Sequence, residues 1–163
     1  MSTVDELLEN NRSFAADFDQ GALPRPPARK VAVVACMDAR LNPYPILGLK
    51  LGDAHVIRNA GGVISDHEIR SLAISQHLLG TEEIMLIHHT DCGMLNFNDR
   101  EFADRLESKT GQRPEWEARS FDDLDQDVRD SIKRIKDSPF IPRTDGVRGF
   151  VYDVATGELR EVT

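Results

Sequence analysis

Short aliphatic runs and helical spacings alternate along this chain. Residues 31–35 and 84–87 are unbroken apolar runs, which are typical of strands buried on both faces, and residues 53–58 predict a further strand. Apolar positions then recur at helical spacing from Ile69 to Leu79, with Ser65 as the cap and Gly80 as the stop. Strand, helix and strand in this order predict a parallel, right-handed unit.

The remaining segments extend this pattern at both ends. A helix is predicted from Ser2 or Thr3 through Phe18, and the three prolines of residues 21–27 end it. The other predicted elements are helices at 43–47, 99–109 and 121–136, a strand at 149–154 and a hairpin strand at 158–162. We therefore expect one α/β domain over residues 1–163, with a mostly parallel central sheet flanked by helices and with residues 1–28 as an N-terminal helix and proline-rich arm.

Two of the predicted strands end in side chains that can bind a metal. Cys36 follows the first apolar run, while His89 follows the 84–87 run and lies three residues before Cys92. Parallel strands end at one edge of the sheet, so these side chains are expected to meet there. Two thiolates and an imidazole suit Zn²⁺ and leave a fourth position for water or substrate. The plainer interpretation is that each cysteine is a small buried hydrophobic residue.

An aspartate and an arginine follow Cys36 at alternate positions. In an extended segment Cys36, Asp38 and Arg40 share a face, so the arginine can hold the carboxylate with two hydrogen bonds and keep it ionised. Asp38 could then accept a proton from a zinc-bound water in a hydrogen bond and orient its lone pair. Alternatively, Asp38 could be the fourth zinc ligand, or the pair could be an ordinary surface salt bridge.

The turn at residues 59–62 carries two consecutive glycines. Gly61 and Gly62 would let the backbone approach a ligand closely, and their amides could bind a small anion such as bicarbonate. The sequence alone favours the simpler interpretation, a tight turn into the next helix. Arg58, just before the turn, is interpreted as a surface or interface charge.

The motifs CxDxR at Cys36, RNAGG at Arg58 and HxxCG at His89, in this order after a Leu8–Arg12 helix segment, resemble the beta-class carbonic anhydrases over about residues 7–95. The resemblance implies a zinc ion held by Cys36, His89 and Cys92. It also implies a catalytic pair, Asp38 and Arg40, and a glycine turn beside the metal pocket, which assigns Gly61, Gly62 and Val63 to the substrate pocket.

The activity implied by the resemblance is the reversible hydration of CO₂ to bicarbonate by attack of a zinc-bound hydroxide. It further implies a homodimer or larger homo-oligomer. Phe14 and Phe18 on the N-terminal helix could lie on a partner subunit of such an assembly, or they could pack on the core of their own chain. Two departures stand out: residues 24–30 lack the substrate-contacting glutamine of longer relatives, and His88 replaces a glycine that many relatives have. We expect His88 to face away from the ion.

Two other functions are compatible with the same motifs. A carbonyl sulfide hydrolase of this family would use the same zinc site, and the residues of the pocket wall, such as Val63, Leu95 and Phe97, would distinguish the two substrates. A non-catalytic zinc protein would instead close the site with Asp38 as a permanent fourth ligand.

Charge and composition narrow the partners. The net charge of −8 argues against nucleic acid and anionic membranes, both of which need a basic surface. No apolar stretch reaches about 18 residues and no secretory signal is recognised at the N-terminus. With both cysteines assigned to the metal, no disulfide is expected and the cytoplasm is the expected compartment.

Overall fold

The computed structural model describes residues 2–163 and contains five helices and five strands in one α/β domain. The helices are α1 (Thr3–Ala16), α2 (Pro43–Leu47), α3 (Asp66–Leu79), α4 (Asp99–Thr110) and α5 (Leu124–Asp137). The strands are β1 (Val31–Cys36), β2 (Ala54–Asn59), β3 (Glu83–His89), β4 (Val147–Tyr152) and β5 (Leu159–Val162).

The strands form a single sheet in the order β2-β1-β3-β4-β5. The first four are parallel and β5 is antiparallel to β4, so the predicted parallel sheet and terminal hairpin are confirmed. The register pairs Cys36 with Asn59 and Ala35 with Ile87, which brings the carboxyl ends of β1, β2 and β3 to one edge. The side chains that the sequence predicts to bind a metal lie at this edge.

Each face of the sheet has its own core. On one face, α3 and α5 pack through Leu72 and Ile135 onto Val34 and Leu86. On the other face, Ile87 and its neighbours on the central strands pack against α2 and against the segments that follow β3, and this cluster includes Cys36 and Cys92. Burial of both faces explains the unbroken apolar runs of β1 and β3.

Local signals set most helix ends. Ser65 and Glu68 form a capping box at the start of α3, and Gly80 ends it in a left-handed conformation. Gly111 ends α4 in the same way, as predicted. The predicted helix at 43–47 is also confirmed, with Asn42 as its cap.

The predicted bounds of α5 and β4 differ from the structure. Helix α5 begins at Leu124, because Asp123 caps it by accepting a hydrogen bond from the amide of Gln126. Phe121 instead enters the core in the cluster that contains Cys36 and Cys92. Strand β4 begins at Val147 and ends two residues before Val154. Its glycine, Gly149, lies mid-strand, where a Cβ atom would come within 2.3 Å of the Val128 side chain on α5.

Helix α1 ends at Ala16, two residues before the predicted end, and none of its residues is buried. Phe14 and Phe18 contact each other at a centroid distance of 5.4 Å, yet they are 63% and 44% exposed. They therefore do not pack into the core of their own chain. Among residues 2–163, no helix has the length and apolar character needed to cross a membrane.

Candidate metal centre

Three metal-ligating side chains converge at the carboxyl edge of the sheet. Cys36 is the last residue of β1, His89 is the last residue of β3, and Cys92 follows a turn through Asp91 in a left-handed conformation. One ligand atom from each of Cys36, His89 and Cys92 lies within 4.8 Å of the others, and all three residues are buried. The sheet register therefore brings together the residues predicted from their positions at strand ends.

The ring of His89 is oriented by its neighbour. Its Nδ1 lies 2.8 Å from the carbonyl oxygen of Thr90, so Nδ1 carries the proton and donates it. Nε2 is buried, and no group of residues 2–163 forms a hydrogen bond with it. A buried imidazole nitrogen with a free lone pair, beside two thiols, is the arrangement that a zinc ligand requires. The donor set of Cys36, His89 and Cys92 thus fits Zn²⁺.

The two buried thiols shift each other's pKa in opposite directions. The neighbouring Cys92 thiol lowers the pKa of Cys36 below its ordinary value, against the effect of burial. The same contact, together with burial, raises the pKa of Cys92 well above its ordinary value. Two thiolates this close would repel each other, and a divalent cation between them would remove that repulsion.

Asp38 is held by Arg40 through both carboxylate oxygens. The Arg40 Nε lies 2.9 Å from Oδ1 and Nη2 lies 2.8 Å from Oδ2, while the Arg40 amide also donates to Oδ1 at 2.9 Å. The side-chain hydrogen bonds from Arg40, followed by that of its amide, hold the pKa of Asp38 well below its usual range. The fixed Oδ2 atom lies 3.7 Å from the free Nε2 of His89, so the ionised carboxylate borders the ligand cluster.

Asp91, which was not predicted, holds the other end of Arg40. Its carboxylate Oδ2 lies 2.8 Å from Arg40 Nη1, and its carbonyl oxygen accepts from Nη2 at 3.2 Å. The arginine therefore bridges the segment after β1 and the segment between His89 and Cys92. The position of Asp91 inside the HxxC motif suggested a role at this site. The sequence does not show which cationic side chain its exposed carboxylate contacts.

Arg58 is exposed, as a surface charge would be, but its side chain also binds the backbone beside the ligand cluster. Its guanidinium donates to the carbonyl oxygens of Cys36 at 3.0 and 2.8 Å, of Asp38 at 2.7 Å and of Leu41 at 2.5 Å. Arg58 pairs in register with Ala35 on the neighbouring strand. It therefore clamps the segment that carries both the first thiol and the carboxylate.

Both glycines of the turn have positive φ angles, 86° at Gly61 and 70° at Gly62. A Cβ atom on Gly62 would lie 2.9 Å from the amide nitrogen of Cys36 and 3.0 Å from the carbonyl oxygen of Ile87, so no side chain fits there. The turn thus packs directly against the metal ligands, which a simple turn into a helix would not require.

The predicted pocket residue Val63 packs on the same turn. A Cβ atom built on Gly61 would meet Met94 at 3.0 Å, Val63 at 3.2 Å and Phe121 at 3.3 Å. Val63 and Met94 are buried, and they belong to the apolar cluster that contains Cys36 and Cys92. Leu95 and Phe97, which were also predicted as wall residues, pack against this cluster.

Comparison with known proteins agrees with this geometry. The family profile described as carbonic anhydrase matches residues 31–159. Beta-carbonic anhydrase 1 of Mycobacterium tuberculosis is 55% identical over 163 residues, covering 100% of this chain and 99% of that protein. The chain belongs to the beta-carbonic anhydrase family. The resemblance inferred from the three motifs is confirmed.

Two further relatives show the range of this beta-carbonic anhydrase family. The crystal structure of a carbonic anhydrase from Streptococcus mutans superposes with a TM-score of 0.93 at 43% identity, covering 100% of this chain and 99% of that one. Carbon disulfide hydrolase of Acidithiobacillus thiooxidans is 33% identical, covering 96% of this chain and 87% of that protein. Family membership alone therefore does not decide between oxygen and sulfur substrates.

The departure at His88 has a structural counterpart on the opposite face of the sheet from His89. The Nε2 atom of His88 lies 2.6 Å from Oδ2 of Asp127 on α5, and its ring packs against Phe121 at a centroid distance of 5.6 Å. His88 is completely buried. It therefore connects the strand that carries His89 to α5, and the contact with Asp127 was not predicted from the sequence.

The other three histidines lie outside the ligand cluster. His55 Nδ1 is 2.7 Å from the hydroxyl of Ser75, and His77 Nε2 is 3.1 Å from the carbonyl oxygen of Phe140, while His67 is exposed on α3. None of them is within the group formed by Cys36, His89 and Cys92.

Proposed function

We propose that this member of the family catalyses the zinc-dependent, reversible hydration of CO₂ to bicarbonate. The observation that carries the proposal is the pairing of a buried Cys-His-Cys cluster with a carboxylate that is fixed beside it and held ionised. Cys36, His89 and Cys92 would hold the zinc ion. When bound, zinc supplies Lewis acidity that makes water a nucleophile near neutral pH.

Asp38 is suited to orient the attacking water. Because Arg40 binds both of its oxygens, the carboxylate stays ionised and can only accept hydrogen bonds. Accepting one from the water directs the remaining lone pair of that water towards the carbon of CO₂. Arg58 keeps this geometry by binding the carbonyl oxygens of Cys36 and Asp38.

The surroundings of the cluster suit a small apolar substrate. Val63 and Met94 line the turn beside Cys36, and the glycines at 61 and 62 leave no side chain between that turn and the strand ends. An apolar wall favours the neutral CO₂ molecule over its charged product. Bicarbonate would therefore leave the site readily.

The non-catalytic alternative requires Asp38 as a permanent fourth ligand. In this arrangement both oxygens of Asp38 are bonded to Arg40, and Arg40 is itself anchored by Asp91. Moving the carboxylate onto the ion would break these charge-assisted hydrogen bonds. The geometry therefore supports a site that keeps an open position.

The test is kcat/KM of the zinc-loaded protein for CO₂ and for carbonyl sulfide in the same buffer, with His89→Ala carried through the same zinc loading as the background control. We expect rapid CO₂ hydration and negligible sulfide release. The reverse ratio would make the chain a carbonyl sulfide hydrolase. Zinc bound at one equivalent with no activity on either substrate would favour the closed, non-catalytic site.

We also propose that the protein is a homodimer or larger homo-oligomer. On α1, the apolar residues Val4, Leu7, Leu8 and Phe14 are each more than half exposed, and a lone 14-residue helix is marginal in water. A second copy can cover them, since the body of the chain exposes further apolar side chains such as Leu51 and Leu78.

Light scattering tests the assembly. Phe14→Glu should lower the measured mass to that of one chain, while Asn10→Glu on the same helix should leave the mass of the assembly unchanged. A monomeric wild-type protein would refute the proposal.

For the compartment we propose the cytoplasm, where the free thiols of Cys36 and Cys92 stay reduced, and cell fractionation tests this.

A further inference from the structure

A cavity of about 720 Å³ lies beside the metal centre without including any of the three ligands or Asp38. Its walls come from the glycine turn, from the segment after Cys92, from α4 and from the loop before α5. This volume lies in the range of cavities that bind small organic molecules. The proposed hydration reaction uses Val63 and Met94 of its wall but gives no role to its aromatic side or to Arg119.

One wall of the cavity is aromatic. Phe97 and Phe102 pack at a centroid distance of 5.3 Å, and Phe102 and Trp116 at 6.3 Å, all in tilted orientations. Met94 and Val63 extend this apolar wall. Trp116 is 61% exposed, so a large apolar surface remains available to a ligand.

The opposite side presents a cation. Arg119 is half-buried and lines this cavity, yet its guanidinium has no hydrogen-bond or ion-pair partner among residues 2–163. Its backbone has a φ angle of 61°, a left-handed conformation that costs energy in a residue with a side chain. A strained arginine whose guanidinium makes no hydrogen bond within residues 2–163 is a candidate for ligand binding.

Asp99 maintains this strained conformation. Its carboxylate accepts hydrogen bonds from the amide of Arg119 at 2.9 Å, from the amide of Ser120 at 2.7 Å and from the Ser120 hydroxyl at 2.6 Å. Two backbone amides and the Ser120 hydroxyl therefore bind the Asp99 carboxylate, and the Arg119 guanidinium forms no hydrogen bond with it. The loop is therefore built to present the arginine.

The cavity also contains two carboxylates, which do not neutralise Arg119 directly. Glu68 accepts hydrogen bonds from the amide and hydroxyl of Ser65 at 2.8 and 2.5 Å, so it is committed to the cap of α3. Glu117 is exposed. Arg105, also exposed, adds a second positive charge.

We propose that this cavity binds a small organic anion that carries an apolar, ring-sized body and a carboxylate. The body packs on Met94, Phe102 and Trp116, and the carboxylate accepts hydrogen bonds from Arg119. Met94 also packs on Gly61 and belongs to the apolar cluster that contains Cys36 and Cys92, so the bound anion touches a side chain beside the ligand cluster.

Trp116 is the only tryptophan of the chain and lies in the cavity wall, so its fluorescence reports occupancy. The full-length, zinc-loaded protein is titrated with 4-phenylbutyrate and with its neutral analogue 4-phenylbutanol. We expect a saturable change with the acid, at least about tenfold weaker binding of the alcohol, and a similar loss for the acid in Arg119→Gln.

Two control variants isolate the charge of Arg119. Arg119→Lys keeps a cation and should retain most of the affinity, and Arg70→Gln removes an exposed arginine of α3 outside the cavity and should change nothing. Absence of saturable binding by fluorescence and calorimetry would overturn the proposal. Equal affinity for acid and alcohol would also overturn it, and this comparison does not depend on the folding of any variant.

Discussion

The two faces of the sheet at the end of β3 carry adjacent histidines with opposite bonding. His88 and His89 are both completely buried. On one face, His88 Nε2 is satisfied by the Asp127 carboxylate. On the other face, His89 Nε2 has no protein partner and points to a site shared with Cys36 and Cys92.

The difference shows how the same side chain serves packing or metal chemistry. A buried polar atom normally finds a protein partner, and Nε2 of His88 does so through Asp127 on α5. The Thr90 carbonyl oxygen accepts a hydrogen bond from Nδ1 of His89, and no donor among residues 2–163 reaches Nε2, so the lone pair on Nε2 stays free. His88 Nδ1 is also buried without a hydrogen-bond partner among residues 2–163, so the position of His89 Nε2 beside two thiols, rather than a missing partner alone, marks the functional face.

The largest expected effect breaks the metal side of this comparison. His89→Ala removes one of the three proposed zinc ligands. Losing a residue that only hydrogen-bonds a metal ligand typically lowers metal affinity by about 10- to 100-fold, so losing a direct ligand should lower zinc affinity by more than this. Activity should fall with zinc binding. Competition with a chelator and zinc analysis measure this. His88→Ala is the matched control and should bind one zinc per chain as the wild type does. Equal zinc loss in both variants would contradict the assignment of the faces.

The next effect separates metal binding from catalysis on the His89 face. Asp38→Asn keeps the shape of the side chain but removes its charge, so it should lower kcat/KM for CO₂ by roughly 10²- to 10⁴-fold while zinc content is unchanged. Stopped-flow hydration assays and zinc analysis check both parts. Loss of zinc together with activity would instead indicate that Asp38 is a ligand. Asp91→Asn is the control and should have a smaller effect, since it leaves the Asp38–Arg40 pair intact.

A third variant tests the packing face. Asp127→Ala leaves the buried imidazole of His88 without its partner, and a lost hydrogen bond of this kind costs about 1–3 kcal/mol of unfolding free energy. Urea denaturation measures the loss, and Asp130→Ala on the same helix is the control because it makes no contact with His88. Zinc content should stay at the wild-type level. A variant as stable as the wild type would show that the Asp127–His88 contact contributes little.

The smallest expected effect concerns pH. Because hydrogen bonds from Arg40 lower the pKa of Asp38 in the folded protein, this carboxylate stabilises the fold at a pH above its unfolded value of about 3.9. That contribution is lost as the pH falls through the lowered folded pKa. The stability difference between the wild type and Arg40→Gln should therefore be greatest near neutral pH and shrink in acid.

Denaturation curves at several pH values test this difference. A gap between the wild type and Arg40→Gln that widens in acid would contradict the sign. Lys109→Gln, which removes an exposed charge far from Asp38, should show no such trend.

Much of the fold was predictable because its signals are local. Ser65, Gly80 and Gly111 set helix ends through their own backbone conformations and hydrogen bonds, and the structure confirms them. The start of α5 was misplaced because Phe121 continues the apolar spacing of that helix, and only the core shows that it packs near Met94 instead. Gly149 was predicted as the first residue of its strand because the sequence does not show that Val128, on a helix distant in the chain, packs closely against it.

By itself, the sequence determined the residue types at the strand ends, the HxxC spacing and the apolar runs that place Cys36 and His89 at one edge of a parallel sheet. Tertiary structure decided which polar atoms are satisfied: Asp127 reaches His88, Arg58 reaches three carbonyl oxygens, and Nε2 of His89 is left free. The physical reason is that periodicity assigns a side chain to a face, whereas its partner depends on register and packing between segments far apart in the chain.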